Sequence, residues 1–246
     1  MLQLTVPGGH NKILLHACCA PCSGAVLECL VQNGLKPLVF FSNSNIVPTE
    51  EYDLRRRELE RYCRSLGVPM VEDEYNHRKW LDFVLADKSL ANAPERGPRC
   101  LNCFKFRLLR AARYAAENGF PVLTTTLASS RWKSLEQVDA AGRWACATPV
   151  PTLSPSPGGA GGLEMVPPED KVLGAERQRG FRGNLPPSPG GAGGLEMVPP
   201  EDRVLWWNQN WRRGGLQPRR SQIICEQGFY NQNWGGCEFS IKHDQD

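Results

Sequence analysis

The sequence lacks any long apolar segment. No apolar run among its 246 residues approaches the roughly 18 residues that are needed to cross a bilayer. Its first residues, MLQLTVPGGHNK, also lack the basic stretch followed by a longer apolar one that a secretory signal requires. A large excess of charge is missing as well, because the formal net charge is only +3. We therefore expect a cytoplasmic protein with no membrane association.

Cysteine, in contrast, is abundant, with ten residues, and the hydrophobic content of 41% is sufficient for a buried core. In a reducing compartment, so many cysteines indicate metal or redox chemistry in preference to a disulfide framework. Arginine is unevenly distributed, and such clusters permit a polyanionic partner. The three clusters are Arg55, Arg56, Arg57, Arg61 and Arg64; Arg107, Arg110 and Arg113; and Arg212, Arg213, Arg219 and Arg220.

Apolar runs of strand length alternate with segments of helical periodicity along most of the chain. Strands are predicted at 12–18, 38–42, 68–71, 121–125 and 204–207, and helices at 23–32, 49–66, 77–85, 100–118, 134–147 and 221–227. Thr49 and Ser134 are expected to cap the second and fifth of these helices. This alternation predicts an α/β fold, a parallel sheet with right-handed crossovers.

A duplicated segment interrupts this alternation. Residues 155–173 recur at 187–205 with a single difference, Lys171 against Arg203. Two copies are too few for a stacked repeat protein, and each is too poor in apolar residues to offset the entropy of ordering. We predict a mobile insertion at 148–203 without a catalytic part, or alternatively a loop that docks a partner. The domain itself would comprise 12–147 and 204–240, with flexible ends at 1–11 and 241–246.

Two C-x-x-C pairs carry the candidate chemistry. Cys18, Cys19 and Cys22 follow the first strand, and Cys100 and Cys103 begin the fourth helix, where free N–H groups favour thiolate. The edge at which parallel strands end is where ligands bind in such sheets. Zinc is one alternative, although zinc pairs usually lie about 15–20 residues apart. A dithiol centre would leave three of these cysteines unused, whereas an iron–sulfur cluster accepts four thiolates from separate segments.

Six blocks of the chain together resemble the cobalamin-independent epoxyqueuosine reductases of the QueH type. They are LLHACCAPCSG, FFSNSNIVPTEEYDLRRRELE, RCLNCFKFRLLRAARYAAENGF, TTTLASSRWKS, NWRRGGLQPRR and FYNQNWGGCEFS, and they cover about 12–147 and 204–240. The resemblance implies a Rossmann-like domain, with helices on both faces of the sheet, that holds a 4Fe–4S cluster. It also implies reduction of epoxyqueuosine at the tRNA wobble position to queuosine, with electrons from an unidentified donor.

The resemblance also assigns roles to individual residues. Cys18, Cys19, Cys100 and Cys103 match the cluster ligands, whereas Cys22 and Cys237 match positions near an adjacent mononuclear iron or a redox thiol. Gly235 stands where the family commonly has another cysteine, so a disulfide between positions 235 and 237 is excluded in this chain. Either a protonated thiol or His16 would donate protons, although a histidine at a strand end also suits a structural role.

The partner expected from the resemblance is tRNA that carries epoxyqueuosine. Arginine clusters would contact its phosphates, and Trp206, Trp207, Trp211 and Trp234 are either stacking surfaces for bases or core residues. Two other classes of function stay open from the residues alone. One is a zinc-stabilised RNA-binding module without catalysis, and the other is a thiol–disulfide oxidoreductase.

Overall fold

A computed structural model of the chain describes residues 2–149 and 203–240. Its centre is a five-stranded sheet with the order β3-β2-β1-β4-β5, in which every neighbouring pair is parallel. The strands are β1 Lys12–His16, β2 Lys36–Phe41, β3 Met70–Glu72, β4 Val122–Thr125 and β5 Leu205–Trp206. This is the order of the first five strands of a doubly wound dinucleotide-binding sheet, so the prediction of a Rossmann-like α/β fold is confirmed.

Six α-helices flank the sheet within the described ranges. They are α1 Ala20–Gln32, α2 Thr49–Ser65, α3 His77–Val84, α4 Pro98–Glu117, α5 Leu135–Ala147 and α6 Leu216–Gln227. Helix α1 contacts α2 and α6, whereas α4 contacts α3 and α5, so the helices form two groups. Within residues 2–149 and 203–240, none of the helices has the length and apolar character that a bilayer span requires. The predicted insertion at 148–203 lies almost entirely outside these ranges.

Helix boundaries differ from the sequence-based ones where proline lies in the first turn of a helix. Helix α1 begins at Ala20, with Pro21 in its first turn, and α4 begins at Pro98. Proline is favoured there because the N–H that it lacks would have no helical partner. The predicted cap at Thr49 is wrong: Pro48 precedes the helix and Thr49 is its first residue. The cap at Ser134 is confirmed, since its Oγ accepts the Gln137 N–H at 3.2 Å.

The main core lies between the sheet and both helix groups, and the residues of β1 show how complete the burial is. Ile13, Leu14 and Leu15 have no exposed surface, as expected for a central strand of a parallel sheet that is covered on both faces. A second, smaller apolar cluster consists of Trp80 and Val84 from α3 and Phe106 from α4. This smaller cluster matters for the site because Cys103 and Cys237 pack against it.

Several arginines that were expected on the surface are structural residues. Arg107, Arg110 and Arg113 on α4 are at most 3% exposed, so this cluster is not available to phosphate and that expectation is wrong. Arg110 instead forms a buried ion pair with Asp73 after β3, with Nη2 donating to Oδ1 at 2.6 Å. Arg55 on α2 is also buried and pairs with Glu51. A buried guanidinium needs such partners because it cannot lose its charge.

Residues near the N-terminus, in the segment 1–11 that is predicted to be a flexible end, lie against α1. The Leu4 N–H donates to Asn33 Oδ1 at 3.1 Å, and Asn33 Nδ2 donates to the Leu2 carbonyl at 3.0 Å. Asn33 is the residue that ends α1, so one side chain joins the helix terminus to this segment.

Candidate metal centre

Three thiols meet in the turn between β1 and α1. The Sγ atoms of Cys18, Cys19 and Cys22 all lie within 4.8 Å of one another, and those of Cys18 and Cys19 are 3.8 Å apart. Cys19 precedes the first residue of α1 and Cys22 lies in its first turn, where the positive end of the helix dipole favours thiolate. Three soft donors so close together could hold a metal ion.

Residues that follow β4 hold this turn in place. Thr126 Oγ1 accepts the Cys18 N–H at 3.2 Å, and Ser129 Oγ donates to the Cys22 carbonyl at 2.8 Å. Strand β4 is the neighbour of β1 on the side away from β2. The turn therefore lies at the carboxyl edge of the sheet, at the point where the strand order reverses, and crevices at this point bind ligands in open α/β sheets.

The three thiols differ in their pKa values. Hydrogen bonds from Cys19 and Cys22 lower the pKa of Cys18, and the charges of Lys133 and Arg107 oppose the effect of burial. The same hydrogen bonding to Cys18 raises the pKa values of Cys19 and Cys22. Cys18 is therefore the thiol that ionises first, and the other two are its hydrogen-bond donors.

A second set of thiols comprises Cys100, Cys103 and Cys237. Cys100 lies in the first turn of α4, Cys103 lies one turn later, and Cys237 follows the Gly235–Gly236 turn. The Arg96 N–H donates to Cys100 Sγ at 3.3 Å, and the Cys237 thiol donates to Ser240 Oγ at 3.5 Å. Burial raises the pKa of all three thiols, and the charge of Cys103 raises that of Cys237 further.

Arg107 connects the two sets of thiols. Its Nε donates to the Ser42 carbonyl at 3.3 Å, and its Nη2 donates to Asn43 Oδ1. Asn43 Nδ2 in turn donates to the carbonyl of Ala17 at 2.9 Å, directly before Cys18. Arg107 also lies one turn after Cys103, whose pKa its charge lowers against the larger effect of burial. A single buried cation thus faces both thiol sets at the carboxyl edge.

Not all the predicted ligands lie in one tight group. In the part of the chain that the structure describes, the group of sulfurs within 4.8 Å of one another contains Cys18, Cys19 and Cys22, while Cys100, Cys103 and Cys237 lie outside it. A 4Fe–4S cluster binds its four thiolates at separate corners, so its ligands are spaced more widely than those of a single ion. The assignment of Cys18, Cys19, Cys100 and Cys103 as ligands stays a prediction.

Comparison with known proteins identifies the family. A family model described as "Epoxyqueuosine reductase QueH" matches residues 13–152, which is more than half of the chain. The chain belongs to the QueH family. Curated relatives named epoxyqueuosine reductase QueH include those of Histophilus somni and Haemophilus influenzae, which are 34% and 32% identical over 240 residues. These alignments cover 98% of this chain and 76% of each relative.

A third relative of the same name, from Acinetobacter baylyi, is 31% identical over 241 residues, which is 98% of this chain and 85% of the relative. The matches to QueH proteins therefore extend past the end of the family model, to the segment around Cys237. The resemblance that six sequence blocks indicated is confirmed at the level of the family.

His16 has a structural role in this QueH-family site. Its Nε2 donates to the Ser42 carbonyl at 3.2 Å, which leaves Nδ1 to accept from the Thr125 hydroxyl at 2.7 Å. Burial lowers the pKa of His16 to about 3, so the ring is neutral near pH 7. Both ring nitrogens of His16 are thus occupied by hydrogen bonds within the protein, which agrees with the structural role suggested as an alternative.

Three of the four tryptophans named from the sequence contribute to packing, and the fourth, Trp234, has the Arg55 guanidinium 5.4 Å from the centre of its ring. Trp207 and Trp211 are at most 4% exposed, and Trp206 donates its Nε1–H to Asp139 at 2.8 Å. Sequence reasoning missed Trp132, which is 75% exposed. The sequence does indicate an exposed ring there, because in the block TTTLASSRWKS an aromatic residue stands between Arg131 and Lys133 in a polar loop.

Gly235, where the resemblance implies a cysteine in other members of the family, lies close to Ser240. A Cβ atom at Gly235 would lie 3.0 Å from Ser240 Oγ, the hydroxyl that accepts from Cys237. The following Gly236 has φ +94°, and its carbonyl accepts the Val47 N–H at 2.8 Å. In this QueH-family chain, Cys237 is therefore held by a turn that joins the loop after β2.

Proposed function

We propose that this chain reduces epoxyqueuosine in tRNA to queuosine, in line with the name epoxyqueuosine reductase that its curated relatives carry. The observation that carries the proposal is the buried group of Cys18, Cys19 and Cys22 at the carboxyl edge of the sheet in a chain of the QueH family. Deoxygenation of an epoxide needs a source of electrons, and thiol-bound iron is one that this set of donors suits.

We further propose that Cys18, Cys19, Cys100 and Cys103 hold a 4Fe–4S cluster, as the resemblance implied. Thiolates are the ligands that such clusters require. One pair directly precedes α1, and the other lies in the first two turns of α4. When bound, the cluster would supply electrons singly. Arg107, buried between the two thiol sets, would offset part of the negative charge of four thiolates.

The remaining thiols, Cys22 and Cys237, are the proposed catalytic residues. Removal of the epoxide oxygen breaks two C–O bonds, forms an alkene and releases water, so it consumes two electrons and two protons. The electrons come from an external reductant. Burial keeps the Cys237 thiol protonated and hydrogen-bonded to Ser240, which suits a proton donor, and the same two thiols could hold an adjacent mononuclear iron.

The proposed substrate is tRNA that carries epoxyqueuosine, as the resemblance implied. A nucleotide at the wobble position is unpaired in free tRNA, and proteins read such bases after drawing them out of the stack. The base would enter at the carboxyl edge of the sheet, where Cys18, Cys19 and Cys22 lie. We place this step in the cytoplasm, where tRNA is available.

The test begins with anaerobic purification and counts of iron and acid-labile sulfide, followed by turnover of epoxyqueuosine tRNA with a chemical reductant. Single Ala substitutions at Cys18, Cys19, Cys100 or Cys103 are expected to bleach the brown absorbance and abolish turnover. Cys22→Ser and Cys237→Ser are expected to keep the cluster and lose turnover. Cys225→Ser is the matched control, because this thiol is exposed, and it should retain both.

Two results would contradict the proposal. If Cys22→Ser loses iron while Cys100→Ala keeps full iron and sulfide, the ligand set is wrong and the compact trio is the metal site. If the purified chain holds zinc without labile sulfide and the epoxide survives, the reductase assignment itself is wrong.

A further inference from the structure

One large aromatic side chain stands out on the surface near the site. Trp132 is 75% exposed, whereas the other exposed large apolar side chains in the described ranges reach at most 40%. A tryptophan normally buries most of its surface. An exposed one that is fixed beside a reaction site therefore suggests a ligand with an aromatic face.

The loop that carries Trp132 is held rigidly. Arg212 Nη2 donates to the carbonyls of Ser130 and Lys133, the latter at 2.5 Å, and so binds the backbone on both sides of the tryptophan. The Trp132 N–H donates to Ser130 Oγ at 3.3 Å. The exposure of the indole thus belongs to a fixed loop conformation, and a rigid aromatic surface loses little entropy when a ligand binds.

The same loop is joined to both sets of thiols. On one side, Ser129 Oγ donates to the Cys22 carbonyl at 2.8 Å. On the other, the Arg96 guanidinium lies 5.9 Å from the centre of the Trp132 ring, while the Arg96 N–H donates to Cys100 Sγ. Arg96 has φ +64°, which is unfavourable for a residue other than glycine. The Gln137 side chain helps to hold this conformation by donating to its carbonyl at 2.7 Å.

We infer that Trp132 and Arg96 form a stacking surface for an unpaired base of the tRNA anticodon loop, next to the nucleotide that enters the thiol site. The inference rests on the proposed function for its substrate. Unpaired RNA bases stack on aromatic rings and on guanidinium planes. The sequence around the indole supplies three cationic side chains, Arg96, Arg131 and Lys133, and two exposed carboxylates, Glu95 and Glu136. This excess of positive charge fits polyanionic RNA better than an apolar protein face.

The experiment measures binding by the full chain, purified anaerobically, of a fluorescein-labelled anticodon stem–loop that has guanosine at the wobble position. Since stacking on one aromatic side chain contributes substantially to single-stranded binding, Trp132→Ala should raise the Kd by about 5- to 150-fold. Trp132→Phe should retain most of the affinity, and Arg96→Ala should show a smaller loss. Tyr230→Ala is the matched control, because Tyr230 is an exposed aromatic residue bound to α2 through Glu58.

The iron and sulfide content of Trp132→Ala should equal that of the parent, which separates a surface role from a structural one. Equal RNA affinity of parent and Trp132→Ala would overturn the inference, and so would failure of the parent to bind the stem–loop. A parent dimer that Trp132→Ala converts to a monomer would overturn it too, by assigning the surface to a second copy. If RNA binding depends on Trp132 but epoxyqueuosine is not reduced, the proposed function fails and the binding surface stands.

Discussion

At the scale of single residues, Gly142 illustrates a close contact across the fold. A Cβ atom at this position in α5 would lie 2.1 to 2.4 Å from three ring atoms of Trp206 in β5. Real Cβ atoms do not approach other atoms so closely, so the indole ring needs a residue without a side chain here. Trp206 is further oriented by its hydrogen bond to Asp139, one turn earlier in the same helix.

Gly142→Ala is therefore expected to lower the free energy of unfolding by about 1–3 kcal/mol through overpacking. In a Trp206→Ala background the same change should be neutral or stabilising by up to about 1 kcal/mol, because alanine favours helix over glycine. Urea unfolding of the parent, the two single variants and the double variant measures the coupling free energy between positions 142 and 206. An equal penalty in both backgrounds would show that Trp206 is not the cause.

At the scale of elements, one ion pair joins α6 to α1. Arg219 donates to both oxygens of Glu28 at 2.7 and 2.8 Å, and the Tyr62 hydroxyl donates to the same carboxylate at 3.0 Å. The sequence had placed Arg219 in a basic loop that would contact phosphate. In the structure α6 begins at Leu216, earlier than predicted, and so turns this arginine toward Glu28.

The ion pair between Arg219 and Glu28 makes the free energy of unfolding depend on pH. The hydrogen bonds of Arg219 lower the pKa of Glu28 in the folded protein. Its contribution to stability is therefore complete above the unfolded pKa of about 4.3 and is lost as the pH falls through the lower folded value. Arg219→Gln should cost about 1 kcal/mol at pH 7, a value typical of partly exposed pairs, and this difference should shrink as the pH falls below about 4.

Arg78→Gln serves as the control for that series. Arg78 and Asp82 form a pair on α3 with side chains 82% and 60% exposed, so its removal should change stability by less than about 0.5 kcal/mol at any of these pH values. Thermal unfolding across the pH range compares the three proteins. A constant difference between parent and Arg219→Gln down to pH 3 would contradict the assignment to Glu28.

At the scale of the whole molecule, the duplicated segment ends inside the sheet. The second copy, 187–205, finishes at Leu205 in β5, which pairs with Val122 of β4. The first copy ends at Leu173 and is followed by Gly-Ala, whereas the second continues into Trp206 and Trp207. The second copy therefore leads into the strand that places an indole over Gly142.

Removal of residues 155–186 is expected to leave both stability and iron content unchanged. This deletion joins the chain at an equivalent point of the repeat, and the candidate thiols lie outside it. Removal of 187–207 is the matched control, because it takes away β5 and should prevent stable folding. Melting temperature and iron count test both variants. A loss of iron in the 155–186 deletion would contradict the prediction that the insertion has no catalytic part.

Much of the fold and part of the site were predictable because they depend on patterns among residues that are close together in the sequence. Apolar runs alternating with helical periodicity predicted the parallel sheet, and Ser134 was recognisable as a cap because its partner is three residues away. Cys18, Cys19 and Cys22 are near neighbours in sequence, so a strand that turns directly into a helix brings their sulfurs together. Motif order across the six blocks was sufficient to indicate the family.

Only the tertiary structure decided which side chains are buried and which are exposed. The burial of Arg107, Arg110 and Arg113, the exposure of Trp132 and the contact of Gly142 with Trp206 all depend on residues far apart in sequence. Backbone propensity and periodicity determine where helices and strands form, because they act over a few neighbouring residues. Which charge is buried and which ring stays exposed depends on how those elements pack, and that is a property of the whole fold.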